Sequence, residues 1–342
     1  MFRYLKLSLA ATTVSLLAAC GGGDDHPAAP PPPAAPVSIL ATAQATADLS
    51  SLVAAVQFAS DGNDLVNLLG AAGTLTVFAP SNAAFDALAV ELTGRSTAKA
   101  ADILVPGNKA LVKAVLQYHV LTSTVKAANI PFGKAISPAA GGIFKIDNVA
   151  GKPVITDGRN RKSNITATDI NASNGVVHLV DKVLLPADKN IVVTAEDLKP
   201  EFSSLVAALK FASNGGDLVT LLSGTGPFTV FAPTNAAFDA LAVELTKIPT
   251  AKGPDLLTAA NKDLLRTVLQ YHVLTSRVLK ADIVPNTAIS TALTGKTFTI
   301  QATAAGVTIT DGSNRISNIT ATDVLTSNGV IHVIDKVLVP AK

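Results

Sequence analysis

Two nearly identical strands carry the residues in this chain with the clearest potential for chemistry. The segment at 173–186 reads SNGVVHLVDKVLLP, and the segment at 327–340 reads SNGVIHVIDKVLVP. Each places a histidine and an aspartate three residues apart in an apolar run: His178 and Asp181 in the first, His332 and Asp335 in the second. A titratable side chain in such a strand costs free energy unless it is paired. Each pair therefore predicts either structural hydrogen bonds or a functional site.

The alternation of side chains along a strand places His178 on one face and Asp181 on the other. Both faces are otherwise apolar, so the strand is predicted to be buried on both sides. A buried carboxylate needs hydrogen bonds or a cation, and a buried imidazole needs a fixed tautomer with partners. We therefore interpret these residues as structural polar groups of each core: His178, Asp181, His332 and Asp335.

Metal binding and catalysis are the alternatives for these residues. A metal site needs three or four converging ligands, and each half of the chain offers two histidines with scattered aspartates: His119 and His178, or His272 and His332. The G-x-S-x-G, H-E-x-x-H and C-x-x-C patterns do not occur. The sequence predicts no catalytic residue, metal or cofactor, and an enzyme would need a cleft that joins a histidine to an acid and a nucleophile.

The elements that position these residues occur twice. SSLVAAVQFASDGNDLVNLL from Ser50 returns as SSLVAALKFASNGGDLVTLL from Ser203, and VLQYHVLTS recurs unchanged. A period of about 150 residues indicates tandem whole domains, because solenoid units are far shorter. We predict a first domain over 37–187 and a second over 188–342.

Within one copy the pattern is mixed. DLSSLVAAVQFA has apolar residues at helical spacing behind Asp48 as a predicted N-cap, and Ser81 or Asn82 is predicted to cap a second helix, NAAFDALAVEL. TLTVFAP predicts a strand that Pro80 closes, and four further strands are predicted in the last third. Helices first and strands later favour an α+β domain.

Three ordered motifs in each copy resemble the fasciclin (FAS1) domain family. They are TVFAPSNAAFDAL, LQYHVL and SNGVVHLVDKVLLP in the first copy, with close counterparts in the second. The resemblance implies two tandem domains, each with a β-sandwich or wedge-like sheet core and helices packed on it. It also implies an extracellular or surface location and a role in cell adhesion or matrix contact.

The same resemblance suggests candidate interaction residues. In animal members of the family the Tyr-His region is linked to adhesion, which here corresponds to Tyr118–His119 and Tyr271–His272. The alternative is that the tyrosine packs and the histidine ends a helix. NKDLL at 261–265 resembles a second adhesion motif through Asn261 and Asp263, although Asn261 as a helix N-cap explains it equally well.

The N-terminus predicts export and lipidation. Arg3 and Lys6 precede an apolar stretch that ends in Leu-Ala-Ala-Cys, which resembles a signal peptide over 1–19 with a lipobox at Cys20. Residues 20–36 form a proline-rich linker after the lipidated cysteine. We expect a lipid-anchored protein of the cell envelope, with the outer membrane, facing the periplasm or the cell surface, as its location.

Composition excludes some partners. The net charge is +2, with no basic run, so nucleic-acid binding is not expected, and the single cysteine excludes an internal disulfide. The sequence predicts a non-enzymatic, membrane-tethered surface module that binds a surface or matrix protein or a glycan. The alternative, which the family resemblance implies because some similar proteins bind carotenoids, is a carrier of an apolar small molecule such as a carotenoid or lipid; the domains are also rich in Ala, Val and Leu.

Overall fold

The computed structural model describes residues 36–342, except residues 199, 214–216 and 304–305. The predicted signal peptide, the predicted lipidation site Cys20 and nearly all of the proline-rich linker lie outside the described residues. The remainder, from Pro36 to Lys342, forms one compact unit that contains both repeats.

The first repeat begins with helices and ends with strands. Its helices are α1 Ile39–Ala45, α2 Ser50–Ala59, α3 Asp64–Gly70, α4 Asn82–Thr93, α5 Ala100–Ile103 and α6 Lys109–Tyr118. Its strands are β1 Leu75–Pro80, β2 Val120–Leu121, β3 Ala135–Ile136, β4 Phe144–Val149, β5 Lys152–Thr156, β6 Lys162–Ala172 and β7 Gly175–Val180.

Local sequence signals explain where α4 begins and ends. The Ser81 hydroxyl accepts a hydrogen bond from the backbone N–H of Ala84, which confirms the predicted cap, and Gly94 ends the helix in the left-handed region at φ 68°. The predicted cap of α2 is wrong. That helix begins at Ser50 because Asp48 lies in a 3-10 turn, and the side-chain oxygen of Asn82, rather than that of Asp48, accepts the N–H of Ser51 in its first turn at 2.8 Å.

The seven strands form one sheet in the order β2-β1-β7-β6-β5-β4-β3. β1 runs parallel to β7, and the other pairs are antiparallel. β1 and β4 are four places apart in this order, yet the rings of Phe78 and Phe144 meet edge to face at 5.3 Å between centroids. The sheet therefore curls back on itself to form a wedge.

Each wedge has two cores. One lies between the sheet and the helices and includes Leu52, Val77, Phe85 and Val177. The other fills the inside of the wedge and includes Phe78, Tyr118, Phe144 and Val180. β7 separates them and supplies side chains to both, which explains why the strand is apolar on both faces.

The second repeat has the same architecture. Its helices are α7 Ile191–Asp197, α8 Ser203–Ala212, α9 Asp217–Ser223, α10 Asn235–Thr246 and α11 Lys262–Tyr271. Its strands are β8 Phe228–Pro233, β9 Val273–Leu274, β10 Ala288–Ser290, β11 Thr297–Thr303, β12 Gly306–Thr310, β13 Ile316–Thr326 and β14 Gly329–Ile334, in the sheet order β10-β11-β12-β13-β14-β8-β9. The predicted fold class, α+β in two tandem domains, is confirmed.

Across the described part of the chain, no single helix combines the length and hydropathy of a membrane span. The helices over Ile39–Ala45 and Ala47–Ala59 pass that test only as a pair, with a 110° bend between them.

Candidate functional site

The two strand histidines are buried and use both ring nitrogens within their own domains. Nδ1 of His178 accepts a hydrogen bond from the backbone N–H of Asp169 at 3.2 Å, and its Nε2–H donates to the carbonyl of Val125 at 2.9 Å. His332 makes the same two bonds, with Asp323 and Val278. Burial lowers the pKa of His332. Neither ring has a nitrogen left for a metal or a substrate.

The strand aspartates are not placed as the alternation predicted. β7 ends at Val180, so Asp181 lies one residue beyond the strand and is half-buried rather than buried. Its carboxylate accepts bonds from the Asn164 backbone N–H at 2.7 Å, the Asn164 side-chain amide at 2.6 Å and the Ser163 hydroxyl at 3.0 Å. Asp181 therefore ties the end of β7 to β6.

Asp335 repeats this arrangement after β14, also half-buried, with Ser317 and Asn318 as donors. Partial burial acts to raise its pKa, but the hydrogen bonds from Asn318 and Ser317 outweigh burial, so the pKa lies below its ordinary value. The ionised carboxylate is the form that these donors stabilise.

The Tyr-His residues lie in the core. Tyr118 and Tyr271 are fully buried and donate their hydroxyl protons to the carbonyls of Ile143 and Thr297. His119 and His272 follow them as the C-caps of α6 and α11 and are also buried. None of these four side chains can contact a partner directly while the domains are folded.

His119 links two distant segments. Its Nδ1–H donates to the carbonyl of Val115 at 2.7 Å, and its Nε2 accepts from the backbone N–H of Leu184 at 2.8 Å. Burial is the main cause that lowers the pKa of His119 to about 4, and His272 has the same value for the same reason. Both imidazoles are therefore neutral at pH 7.

The NKDLL segment lies at the surface. Asn261 stands at the N-cap position of α11, but its side-chain amide donates to the Leu256 carbonyl at 3.1 Å and does not accept a helix amide. Asp263 is exposed in the first turn, where a negative charge is favourable for the helix dipole. Of the candidate interaction residues, only Asp263 and the half-buried Asn261 reach solvent.

Beside this segment, two neighbouring helices leave an apolar groove in each domain. In the first domain it lies between α4 and α6, where Leu92 and Leu111 are each 48% exposed. In the second it lies between α10 and α11, where Leu245 and Leu264 are 47% and 44% exposed. We call these the α4–α6 groove and the α10–α11 groove. Each holds a hollow of about 50 Å³.

The grooves can bind apolar side chains but carry no reactive pair. The α10–α11 groove is lined by seven aliphatic side chains and Asn261. The α4–α6 groove adds Arg159, whose buried Nε–H has no hydrogen-bond partner among the described residues. Within those same residues, no group of three or more His, Cys, Asp and Glu side chains converges as a metal site would require.

Sequence reasoning missed one polar network. The buried Asp157 accepts bonds from the backbone N–H groups of Arg159, Arg161 and Leu185 and pairs with the Arg161 guanidinium. Arg161 also bonds Glu91 at 2.9 Å. Asp311 and Arg315 repeat the network in the second domain. The repeated D-G-x-N-R pattern at 157–161 and 311–315 was the available signal.

The fold and these internal ties define a protein made of two equivalent α+β domains, each a curled seven-stranded sheet with helices packed on one side. The profile described as the fasciclin domain matches residues 47–186 and again residues 200–340. The chain belongs to the fasciclin domain family.

Named relatives are similar over one or both domains. Transforming growth factor-beta-induced protein ig-h3 from Sus scrofa is 32% identical over 272 residues, which is 78% of this chain and 35% of that protein. Protein sll1483 from Synechocystis is 42% identical over 141 residues, 41% of this chain and 67% of that protein. The chain thus spans about a third of the ig-h3 length.

A solved structure of a FAS1 domain pair, from the insect cell adhesion molecule fasciclin I, is 19% identical. The two align with a TM-score of 0.41 and cover 85% of this chain and 97% of the other.

Proposed function

We propose that the chain is a non-enzymatic surface module that mediates adhesion by binding a surface or matrix partner through its two helical grooves. The observation that carries the proposal is the pair of half-exposed leucines at equivalent positions in each domain: Leu92 and Leu111, Leu245 and Leu264. Apolar side chains exposed side by side are characteristic of contact surfaces. The adhesion role that the family resemblance implies supports the same interpretation.

The lining favours a protein partner over a glycan. The hollows are lined mostly by apolar side chains, and an aliphatic or aromatic side chain fills such a hollow better than a hydroxyl-rich sugar does. Asn261 adds a polar group to the lining of the second groove, and Asn108 and Arg159 do so in the first. Each groove therefore combines a mostly apolar lining with a few polar groups, as protein–protein contacts do.

The experiment is a binding screen with a protein spanning residues 36–342, the compact unit. It is applied to immobilised matrix proteins, glycans and whole bacterial surfaces, and we expect saturable binding to a protein component without turnover. Binding to glycans alone would replace the protein partner, and no binding above background to any surface would overturn the proposal.

Support for a membrane tether comes from the sequence of residues 1–36. We place the protein in the cell envelope, held by acyl chains on Cys20 and spaced from the membrane by the proline-rich linker, with the outer membrane as the site. Labelling the host with radioactive palmitate tests this, with Cys20→Ala as the control. Equal label in both proteins, or none in either, would contradict lipidation.

The alternative, carriage of a carotenoid or lipid, has less support. Apolar cavities near His119 and His272 have volumes of about 40 and 30 Å³. Pockets for drug-sized ligands measure roughly 300–1,000 Å³, so a carrier would need a substantial opening of each core. Organic extraction of protein from its own host distinguishes the two functions, because a carrier yields pigment or lipid.

A further inference from the structure

The two domains meet through a buried ion pair. Nζ of Lys145, on β4 of the first domain, lies 2.7 Å from Oδ2 of Asp323, on β13 of the second. The two residues are 8% and 4% exposed. Lys145 also pairs with Asp147 of its own domain at 3.2 Å, so loss of Asp323 removes the closer of its two anionic partners, whereas loss of Lys145 leaves the Asp323 carboxylate without its cation in the interface.

Hydrogen bonds and apolar contacts accompany this pair. The Asn160 side-chain amide donates to the Leu325 carbonyl at 3.0 Å and accepts from the Leu325 N–H at 2.6 Å. Ile143, from the first domain, forms a small buried cluster with Leu279, Leu325 and Val330 from the second. This cluster is separate from the cores of both domains.

The contact is directional. The first domain contributes what we call the lysine face, Ile143, Lys145 and Asn160, and the second contributes the aspartate face, Leu279, Asp323 and Leu325. Because both domains have the same fold, each also carries the face that it does not use. A contact between two different faces of one fold can repeat head to tail without closing.

The unused faces are identified by shared hydrogen bonds. Tyr118 donates to Ile143 as Tyr271 donates to Thr297, and the N–H of Asp169 bonds His178 as that of Asp323 bonds His332. The unused aspartate face of the first domain is therefore Lys126, Asp169 and Asn171. The unused lysine face of the second domain is Thr297, Thr299 and Asn314.

The used and unused versions of each face differ in polarity, and the unused version is always the more polar one. Leu279, Leu325 and Ile143 are buried, whereas their counterparts Lys126, Asn171 and Thr297 are polar and exposed. The charge is also lost, since Thr299 stands where the first domain has Lys145.

The face residues that are identical in both copies have structural roles inside their own domains. The carboxylates of Asp169 and Asp323 accept the backbone N–H groups of Ala127 and Lys280. Asn160 and Asn314 both adopt a positive φ, at 62° and 59°, in equivalent turns, where asparagine is among the residues that tolerate it. Among the positions that have changed between the two copies, Lys145 also pairs with Asp147 of its own domain, at 3.2 Å.

We propose that the joint between the domains is a head-to-tail interface and that polar substitutions at its two free ends prevent the chain from adding further copies of itself. At such an end Lys126 would be desolvated without an anionic partner, and Asp169 would face Thr299 of the second copy instead of a lysine, so docking is opposed. The protein therefore presents one fixed pair of domains, and its outer ends do not polymerise.

The first experiment tests the joint with a matched control. Asp323→Asn and Asp169→Asn alter equivalent carboxylates, but only Asp323 pairs with Lys145. In residues 36–342, we expect Asp323→Asn to lower the melting temperature further and to separate unfolding into two transitions, while Asp169→Asn keeps the wild-type pattern. Equal shifts from the two variants would show that the ion pair does not couple the domains.

The second experiment rebuilds the free faces. Lys126→Leu with Asn171→Leu restores the aspartate face on the first domain, and Thr297→Ile with Thr299→Lys restores the lysine face on the second. We expect each double variant, like the wild type, to sediment as a monomer. An equimolar mixture should form a complex of twice the mass, and the quadruple variant should form longer chains.

Two results would overturn the blocking of the free ends. One is a mixture and a quadruple variant that both remain monomeric while their circular dichroism matches the wild type. The other is a wild-type protein that already forms chains which the double variants do not alter. Because the substituted positions Lys126, Asn171 and Thr297 are exposed and Thr299 is half-buried, the variants are expected to fold.

Discussion

The imidazole of His119 accepts a hydrogen bond from the backbone N–H of Leu184 at 2.8 Å, and this single contact joins residues 65 positions apart in the chain. Through it the end of α6 is tied to the segment that follows β7. His272 and Leu338 form the same tie at 2.9 Å in the second domain. The bond exists only while Nε2 is unprotonated, so the protonation state of these histidines is coupled to folding.

This coupling predicts loss of stability in acid. The pKa of His119 and of His272 is about 4 in the folded protein, against an ordinary value of 6.5. Between these values the unfolded chain binds more protons, so stability is present above pH 6.5 and is lost as the pH falls towards 4. Each histidine accounts for about 3 kcal/mol over this window.

Urea unfolding at several values between pH 7.5 and pH 4 measures the effect. The matched variants His119→Gln and His272→Gln remove one titrating group each, so we expect a shallower pH dependence in each variant, in addition to a lower stability at pH 7. An unchanged pH dependence in both variants would show that other groups control acid unfolding.

A second prediction concerns the buried tyrosines. Tyr118→Phe removes the donor to the Ile143 carbonyl and should lower the free energy of unfolding by about 1–2 kcal/mol. Tyr271→Phe should cost a similar amount, because the two hydroxyls have matched partners: Tyr271 also accepts the backbone N–H of Gly312 at 2.8 Å, and Tyr118 that of the equivalent Gly158. Denaturant melts compare the two.

The tyrosine variants also test how the Tyr-His motif acts. If these rings serve the core alone, both variants keep wild-type affinity for the surface partner under conditions where they remain folded. A large loss of affinity in a well-folded Tyr118→Phe protein would show that the tyrosine takes part in binding.

A third prediction follows from the network that sequence reasoning missed. Asp157→Ala leaves the backbone N–H groups of Arg159, Arg161 and Leu185 without their shared acceptor and removes one of the partners of the Arg161 guanidinium, and we expect a loss of about 3–5 kcal/mol. Glu91→Ala, which removes only the exposed end of the network, should cost less than about 1 kcal/mol. Thermal melts of the two variants should therefore differ clearly, and equal losses would contradict this account.

The sequence predicts features that depend on neighbours in the chain better than features that depend on contacts between distant residues. α4 is set by neighbours in the chain, since Ser81 caps its start and Gly94 ends it, and it was predicted correctly. The exact start of α2 was not predicted correctly, because Asp48 forms part of the preceding 3-10 turn. The wedge came from the family resemblance, since the contact of Phe78 with Phe144 depends on how the whole sheet curls.

The site was harder to predict than the fold. Asp181 was expected within a buried strand. It lies instead just beyond the strand end, where it accepts hydrogen bonds from Asn164 and Ser163. The grooves were not predicted at all. Helical periodicity shows which face of a helix is apolar, but not that α4 and α6 leave Leu92 and Leu111 half-exposed side by side.

The last prediction tests the grooves themselves. Leu111→Gln and Leu264→Gln each place a polar side chain at the centre of one groove, where both leucines are exposed and contribute little to the core. Losing one apolar anchor from a contact typically costs about 1–2 kcal/mol, or roughly a tenfold loss of affinity. If one partner engages both domains, the double variant loses more than either single variant, because the second contact benefits from the first.

Surface plasmon resonance against the partner found in the screen measures these affinities. Val149→Gln is the control, since Val149 is equally exposed but lies at the end of β4, outside the groove linings. Melting temperatures close to wild type in all variants would separate binding from folding. Wild-type affinity in the folded double variant would move the contact surface away from both grooves, and the polar loops would then become the place to search.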